Sequence, residues 1–220
     1  MRRALKIAGV AVLLLLLAFI GFEAFALWRA DQRTPRVVAE MAKGELKLSD
    51  LPKRRIMMLL KVEDPGFYQH HGVDFSTPGA GMTSITQGLV KRFYFDRFTP
   101  GFAKVEQSLI ARFVLDPAVP KKGQLQAYLN FTYFGTQGRR PVIGYADAAR
   151  TYYGRELSQL SDREFLSLVA MTIAPKQLDP VRHKRANDER VRRIEAMLAG
   201  RCKPSGFRDV TYEACAQVAR

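Results

Sequence analysis

Between Glu63 and Asp74 the chain reads EDPGFYQHHGVD, which sets carboxylates, two imidazoles and two aromatic rings within twelve positions. Glu63 closes an apolar helical run, and a helix C-terminus presents the negative end of the backbone dipole. The aromatic neighbours strip water from the same carboxylate. Both effects disfavour its charged form and raise its pKa toward the range in which a general base works. Glu63 is therefore the candidate base. A metal centre fits less well, because the adjacent His70 and His71 point in different directions and their spacing matches no ligand pattern. The plainest alternative makes Glu63 and Asp64 solvated helix-end charges and both histidines surface loop residues.

The fixed positions of this segment, Glu63, Asp64, Phe67, His70, Gly72 and Asp74, resemble the first motif of glycosyltransferase family 51, E-D-x-x-F-x-x-H-x-G-x-D. That family comprises the peptidoglycan glycosyltransferases of class A penicillin-binding proteins and of monofunctional membrane-anchored enzymes. The run GMTSITQGLVK from Gly81 to Lys91 resembles the second motif, G-x-S-T-I-T-Q-Q-L-x-K. Leu125 to Asn130 with Tyr133-Phe134-Gly135 resembles the family's I-L-x-x-Y-L-N…Y-F-G stretch. Val142 to Ala149, Tyr152-Tyr153-Gly154, Leu160-Ser161 and the Glu189 to Leu198 helix continue it, so the likeness covers about residues 52–200 in the family's order.

The departures are local. Asp74 runs on to Gly81 almost directly, where the family carries a longer connection. Gly88 replaces the second glutamine of the second motif, and its serine–threonine pair stands here as Thr83-Ser84. The third motif, R-K-x-x-E, is degraded. A gapless count back from Asn130 puts Ser108 at its glutamate and Lys104 at its arginine. Glu106 lies two residues earlier, and at 100° per residue it shares the direction of Leu109, Ile110, Phe113 and Val114, whereas Ser108 points away. The expectation is that Glu106 faces inward and supplies the second catalytic carboxylate.

The resemblance implies a mainly α, lysozyme-like glycosyltransferase domain that polymerises lipid II. Glu63 would take the proton of the acceptor GlcNAc 4-hydroxyl, which attacks the donor MurNAc anomeric carbon with inversion and release of undecaprenyl pyrophosphate. Asp64, Phe67 and His70 would belong to the substrate site. Lys91, Lys104 and Arg92 would meet the pyrophosphate, with Thr83, Ser84 and Gln87 as polar contacts. A divalent cation (Mg or Mn) could bridge the pyrophosphate, although no sequence feature demands one. Two other classes stay open: a non-catalytic lipid II or glycan-binding scaffold of wall assembly, favoured by the degraded third motif, and a lysozyme-like hydrolase. Penicillin-binding serine motifs do not follow, so no transpeptidase domain is expected.

These residues need elements to hold them. Arg2, Arg3 and Lys6 precede an uncharged run from Ile7 to Phe22; extended to Trp28 it spans about 33 Å as a helix, enough for one membrane crossing. Basic residues ahead of the run keep residues 1–6 cytoplasmic and export the rest to the periplasmic side of the bacterial inner membrane. The competing reading is a cleaved signal peptide at Ala24-Phe25-Ala26. Residues 29–51 read as a polar juxtamembrane segment with weak periodicity and one short helix. Beyond them, apolar residues recur at helical spacing from Arg54 to Glu63, around Ile85, from Glu106 to Leu115, around Leu125, from a capping box at Ser161, and from Arg190 to Leu198. No pair of alternating strands stands out. Phe93, Tyr94, Phe95 and Phe98, interleaved with Arg92 and Arg97, suit either the core or a membrane interface.

The whole sequence of 220 residues carries 35 Lys plus Arg against 21 Asp plus Glu, a formal charge of +14. Such a balance favours anionic partners. Export excludes nuclear and cytosolic nucleic-acid roles, leaving membrane lipids, the lipid substrate and glycan strand, and other wall-synthesis proteins. Cys202 and Cys215 would be oxidised to a disulfide in an exported domain, anchoring the 201–220 tail.

Overall fold

The computed structural model describes residues 2–219; Met1, at the head of the expected cytoplasmic tail, and Arg220 lie outside them. The first helix, α1 (Arg2–Met41), runs forty residues without a break. Its N-terminal half is apolar and exposed, from Ile7 to Phe22, and is long and apolar enough to cross a membrane as an anchor or to serve as a signal sequence.

The polar segment expected over residues 29–51, with one short helix, is more helical than that: α1 continues into it as far as Met41. The physical reason is a narrow stripe. Glu23, Ala26, Ala30, Thr34, Val37 and Met41 are buried at three- and four-residue spacing, flanked by the half-buried Leu27 and Arg33, whereas the other residues between them face outward. Small side chains at Ala26 and Ala30 let the helix lie close to the domain. Pro35 removes one backbone donor without ending the helix. Leu46 is then pinned by Asn130, whose Oδ1 accepts from the Leu46 amide (2.8 Å) and whose Nδ2 donates to the Leu46 carbonyl (2.9 Å).

The domain is a bundle of short helices: α2 (Lys53–Glu63), α3 (Ile85–Tyr94), α4 (Phe102–Ile110), α5 (Asp116–Ala118), α6 (Lys121–Phe131), α7 (Tyr145–Tyr153), α8 (Asp162–Met171) and α9 (Lys184–Leu198). Helix α4 leads through a π turn at Ala111–Leu115 directly into α5. α8 is the hub: Phe165 to Met171 are all buried, and it packs against both α2 and α9. Its start is the expected capping box, Ser161 Oγ accepting from the Glu164 amide and Glu164 accepting from the Ser161 amide at 2.8 Å.

Two strands appear where none was expected. β1 (Tyr133–Gln137) pairs antiparallel with β2 (Arg140–Ile143) around Gly138, which has φ +60°. Both are only partly buried, so neither shows clean alternation in sequence, and their register shifts between Tyr133 and Thr136. The hairpin packs Phe134 against Tyr145 edge to face at 4.8 Å.

The residues after α9 are built into the core. Cys202 and Cys215 form a disulfide with Cα atoms 5.5 Å apart, Cys215 and Tyr212 are buried, and Tyr212 donates to the Val62 carbonyl at 3.0 Å. The Gly79 and Gly81 amides donate to the carbonyls of Gly206 (3.1 Å) and Phe207 (2.6 Å). The tail thus braces the short connection that follows Asp74.

Candidate active site

Glu63 ends α2 at the wall of a cleft of about 700 Å3. Thr172, just past α8, donates to Glu63 Oε1 at 2.7 Å, and the Tyr128 hydroxyl on α6 donates to Oε2. Desolvation raises the Glu63 pKa above the ordinary carboxylate value, and the negative charge of Asp64 adds to it; the two hydroxyl donors and the Arg190 guanidinium oppose the shift without cancelling it. Burial and the Glu63 charge hold the Tyr128 phenol well above its usual range, so Tyr128 stays the donor. The arrangement is a carboxylate with a raised proton affinity, fixed in orientation by two hydroxyls and open to a cleft. That is what a general base requires.

The rest of the first motif builds the support for this carboxylate and does not line the cleft. Asp64 is 1% exposed; it accepts from His70 Nε2 at 2.9 Å and from the Ile85 amide at 2.9 Å, so it caps the start of α3. Phe67 is buried against Tyr68 and His70. The substrate contacts expected of Asp64, Phe67 and His70 are therefore replaced by positioning contacts. Gly72 is required by geometry: it sits at φ +85°, and a Cβ there would lie 2.4 Å from the Ala111 carbonyl oxygen in the π turn. Asp74 accepts from the Ser76 and Thr77 amides (2.9 and 3.0 Å) and from the Ser76 hydroxyl; although desolvation opposes ionisation, these donors hold its pKa down at about 2.

The second motif is likewise split between structure and cleft. Ser84 and Gln87 form a reciprocal cap on α3, Ser84 Oγ accepting from the Gln87 amide (3.1 Å) and Gln87 Oε1 from the Ser84 amide (2.9 Å). Ser84 Oγ also donates to the Gly72 carbonyl at 2.6 Å, tying the two motifs together. Gln87 is fully buried and makes no cleft surface, contrary to its expected role as a substrate contact; S-x-x-Q ahead of an apolar run is a capping-box signal. Thr83, Ser84, Lys91 and Arg92 do line the cleft. Lys104 Nζ donates to Thr83 Oγ1 at 2.8 Å, and desolvation together with the nearby Lys91 charge lowers its pKa to about 8. The partly buried Lys104 and the exposed Lys91, held near each other, are suited to a multiply charged anion.

Glu106 is not in this cleft. It lies on the face of α4 turned to α1, near enough to Glu23 for their charges to interact. The helical-wheel argument failed because α4 has two apolar faces. Gln107, Ile110, Ala111 and Val114 are buried toward the domain, whereas Phe102, Val105 and Phe113 are exposed on the side where Phe102 meets Phe19 of α1. Glu106 belongs with the second set. Ser108 is the residue that faces α3: Gln87 Nε2 donates to its hydroxyl at 2.8 Å, and that hydroxyl donates to the Lys104 carbonyl at 2.8 Å. Among the described residues the only carboxylate besides Glu63 that lines the cleft is the exposed Asp96.

Sequence reasoning missed Tyr128, Thr172 and Arg190 as site residues. Arg190 lines the cleft with its guanidinium buried. Nε donates to the Ala170 carbonyl (3.0 Å), Nη1 to the Val210 carbonyl, and the group stacks 5.4 Å over the Tyr212 ring. Its signal was an arginine on the apolar face of a basic helix, two residues from the exposed Arg192. Thr172 was visible as a lone hydroxyl at the end of an apolar helix.

The profile of the family described as Transglycosylase matches residues 32–199 of this chain. Penicillin-binding protein 1A of Haemophilus influenzae is 29% identical over 177 residues, covering 74% of this chain and 20% of that protein. Penicillin-binding protein 1F of Bacillus subtilis is 29% identical over 166 residues, covering 70% of this chain and 22% of that protein. A Cupriavidus necator protein provisionally named a transglycosylase is 29% identical over 205 residues, 84% of this chain and 87% of its own length. The chain thus spans about a fifth of the penicillin-binding proteins it matches and most of the Cupriavidus protein. The family match runs from the buried half of α1 through α9 and takes in Glu63, Tyr128, Thr172 and Arg190, and this chain belongs to the transglycosylase family.

Proposed function

We propose that the chain is a peptidoglycan glycosyltransferase that polymerises lipid II, anchored by α1 with its domain on the periplasmic side of the inner membrane. The observation that supports it best is Glu63, a carboxylate of raised proton affinity held by Thr172 and Tyr128 in a cleft that also presents Lys91 and Arg92. Glu63 accepts the proton of the acceptor GlcNAc 4-hydroxyl, the freed oxygen bonds to the donor MurNAc anomeric carbon, and the bond from that carbon to pyrophosphate breaks with inversion. The leaving undecaprenyl pyrophosphate takes the negative charge toward Lys91, Lys104 and Arg92. Among the described residues no cluster of three His, Cys, Asp or Glu side chains stands ready for an ion, so a divalent cation would arrive on the pyrophosphate. The growing glycan strand and other wall-synthesis proteins are the partners this reading implies.

A second reading, binding of lipid II without turnover, is favoured by the position of Glu106, which leaves Ser108 beside the cleft wall where a second carboxylate would stand. One assay separates them. Purified full-length protein in detergent is given labelled lipid II and scored for polymer, for cleaved glycan and for binding. Polymer supports the proposal; binding with no product supports the second reading; cleaved glycan alone overturns both.

A further inference from the structure

A second cavity, of about 630 Å3, lies where the upper half of α1 crosses the end of α3. Three cations line it from one side, Arg33 and Arg36 on α1 and Lys43 in the turn just past its end, and Arg92 closes the opposite side. Two carboxylates, Glu40 and Asp96, share the rim. Among the described residues none of these four cations has a carboxylate oxygen within 4.0 Å, so their charge is not spent in ion pairs. The floor is apolar: Val37 is buried, and Phe93 meets Phe131 edge to face at 5.0 Å. Arg33 is fixed from beneath by donating to the Tyr94 carbonyl at 3.2 Å.

We propose that this groove binds the phosphate headgroup of an anionic phospholipid. Height along α1 supports it. If the membrane core ends near Trp28, Arg33 sits roughly 8 Å further along the helix, at the level of the headgroup layer. Arg36 follows one turn higher, and its long side chain reaches back down. Charge also selects the ligand. Four cations against two carboxylates suit a phosphodiester with a single negative charge, and an apolar floor receives the glycerol and upper acyl carbons. The Lys91–Lys104 pair, which among the described residues has no carboxylate oxygen within 4.0 Å, is the site matched to a more highly charged group. Arg92, Phe95, Asp96 and Phe131 line both the groove and the catalytic cleft, so a seated lipid would steady one wall of that cleft. The inference does not depend on the glycosyl-transfer reading.

The experiment is native mass spectrometry of the full chain released from detergent, titrated separately with phosphatidylglycerol, phosphatidylcholine and a polyprenyl pyrophosphate. The triple variant Arg33→Gln/Arg36→Gln/Lys43→Gln is compared with a control, Lys122→Gln/Arg139→Gln/Lys203→Gln, that removes three exposed cations elsewhere. The expected result is one phosphatidylglycerol retained per wild-type chain, little phosphatidylcholine, and affinity for phosphatidylglycerol reduced about tenfold or more in the triple variant but not in the control. Arg36→Gln alone, at an exposed position, should show a smaller loss and guards against a triple variant that fails to fold. Equal retention by wild type and both groove variants overturns the proposal, as does an equal loss in the control. Binding of the pyrophosphate lost in the groove variants, with phosphatidylglycerol indifferent, would make the groove part of the substrate site and also overturn it.

Discussion

Thr172 donates to Glu63 across 109 residues of sequence, its hydroxyl 2.7 Å from Oε1, and the same hydroxyl lies 2.8 Å from the Val169 carbonyl in the last turn of α8. The carboxylate at the end of α2 is therefore registered against the hub helix of the domain. An orientation set by the core will survive changes on the surface.

Glu63→Gln should abolish polymer synthesis by about 10² to 10⁴ while leaving the fold intact. The sign on stability follows from the raised pKa: ionising Glu63 costs the folded state free energy, so stability falls as pH rises from the ordinary carboxylate value through the folded one. At neutral pH the melting temperature of the neutral glutamine variant should equal or exceed that of the wild type. A large drop would mean that the carboxylate is structural.

Glu106→Gln should retain activity within about threefold, because the residue faces α1 and not the cleft. Ser108→Ala removes the acceptor for Gln87 Nε2 beneath the cleft and should cost about 1 kcal/mol of stability. Parallel polymerisation assays and melting curves of the two variants test this ranking. A severe loss in Glu106→Gln alone would show that α4 turns when substrate binds.

Lys104 should make anion binding pH-dependent. With a pKa of about 8 it loses its positive charge as pH rises through that value, so affinity for inorganic pyrophosphate should fall between about pH 7 and 9. Isothermal titration across that range reads the slope directly. Lys104→Arg should flatten it, since a guanidinium stays charged throughout.

Reducing the Cys202–Cys215 bridge, or replacing it by two serines, should destabilise the protein by about 2 to 4 kcal/mol. The effect should reach the cleft, because the tail holds Arg190 through the Val210 carbonyl and Tyr212. Hydrogen exchange would show lost protection at Gly79 and Gly81 before that of α8. Protection unchanged at those two amides would make the bridge a local clip only.

Most helices of the domain were legible as apolar periodicity, and Glu63 was legible through the pattern around it. What failed did so for identifiable reasons. Periodicity reports where apolar residues lie, not what they lie against: the stripe Leu109, Ile110, Phe113 and Val114 mixes the buried Ile110 and Val114 with the exposed Phe113, and it led Glu106 to the wrong side. Gln87, Asp64 and His70 are polar residues in motifs, and motif membership does not distinguish a group that touches substrate from one that holds a helix or loop in place. The small-residue stripe Ala26, Ala30, Thr34 of α1 was hidden by the charges between its members. Tyr128 and Thr172 gained their meaning only when folding brought α6 and α8 to the end of α2.

The uninterrupted α1 makes the molecule a post and not a weight on a string. From Glu23 to Met41 the helix is keyed along its length to the domain, about 27 Å of rigid contact. With α1 as the proposed membrane anchor, the cleft has one elevation and one heading relative to the bilayer, set by the helix. Inserting a single residue near Arg29 would lift one part against the other by about 1.5 Å and swing it by about 100°, pulling the stripe out of its seat. On the proposed reading of α1 as anchor and of the cleft as a polymerising site, substrate would come to that fixed station in the plane of the membrane, and a long product would leave by its own sliding.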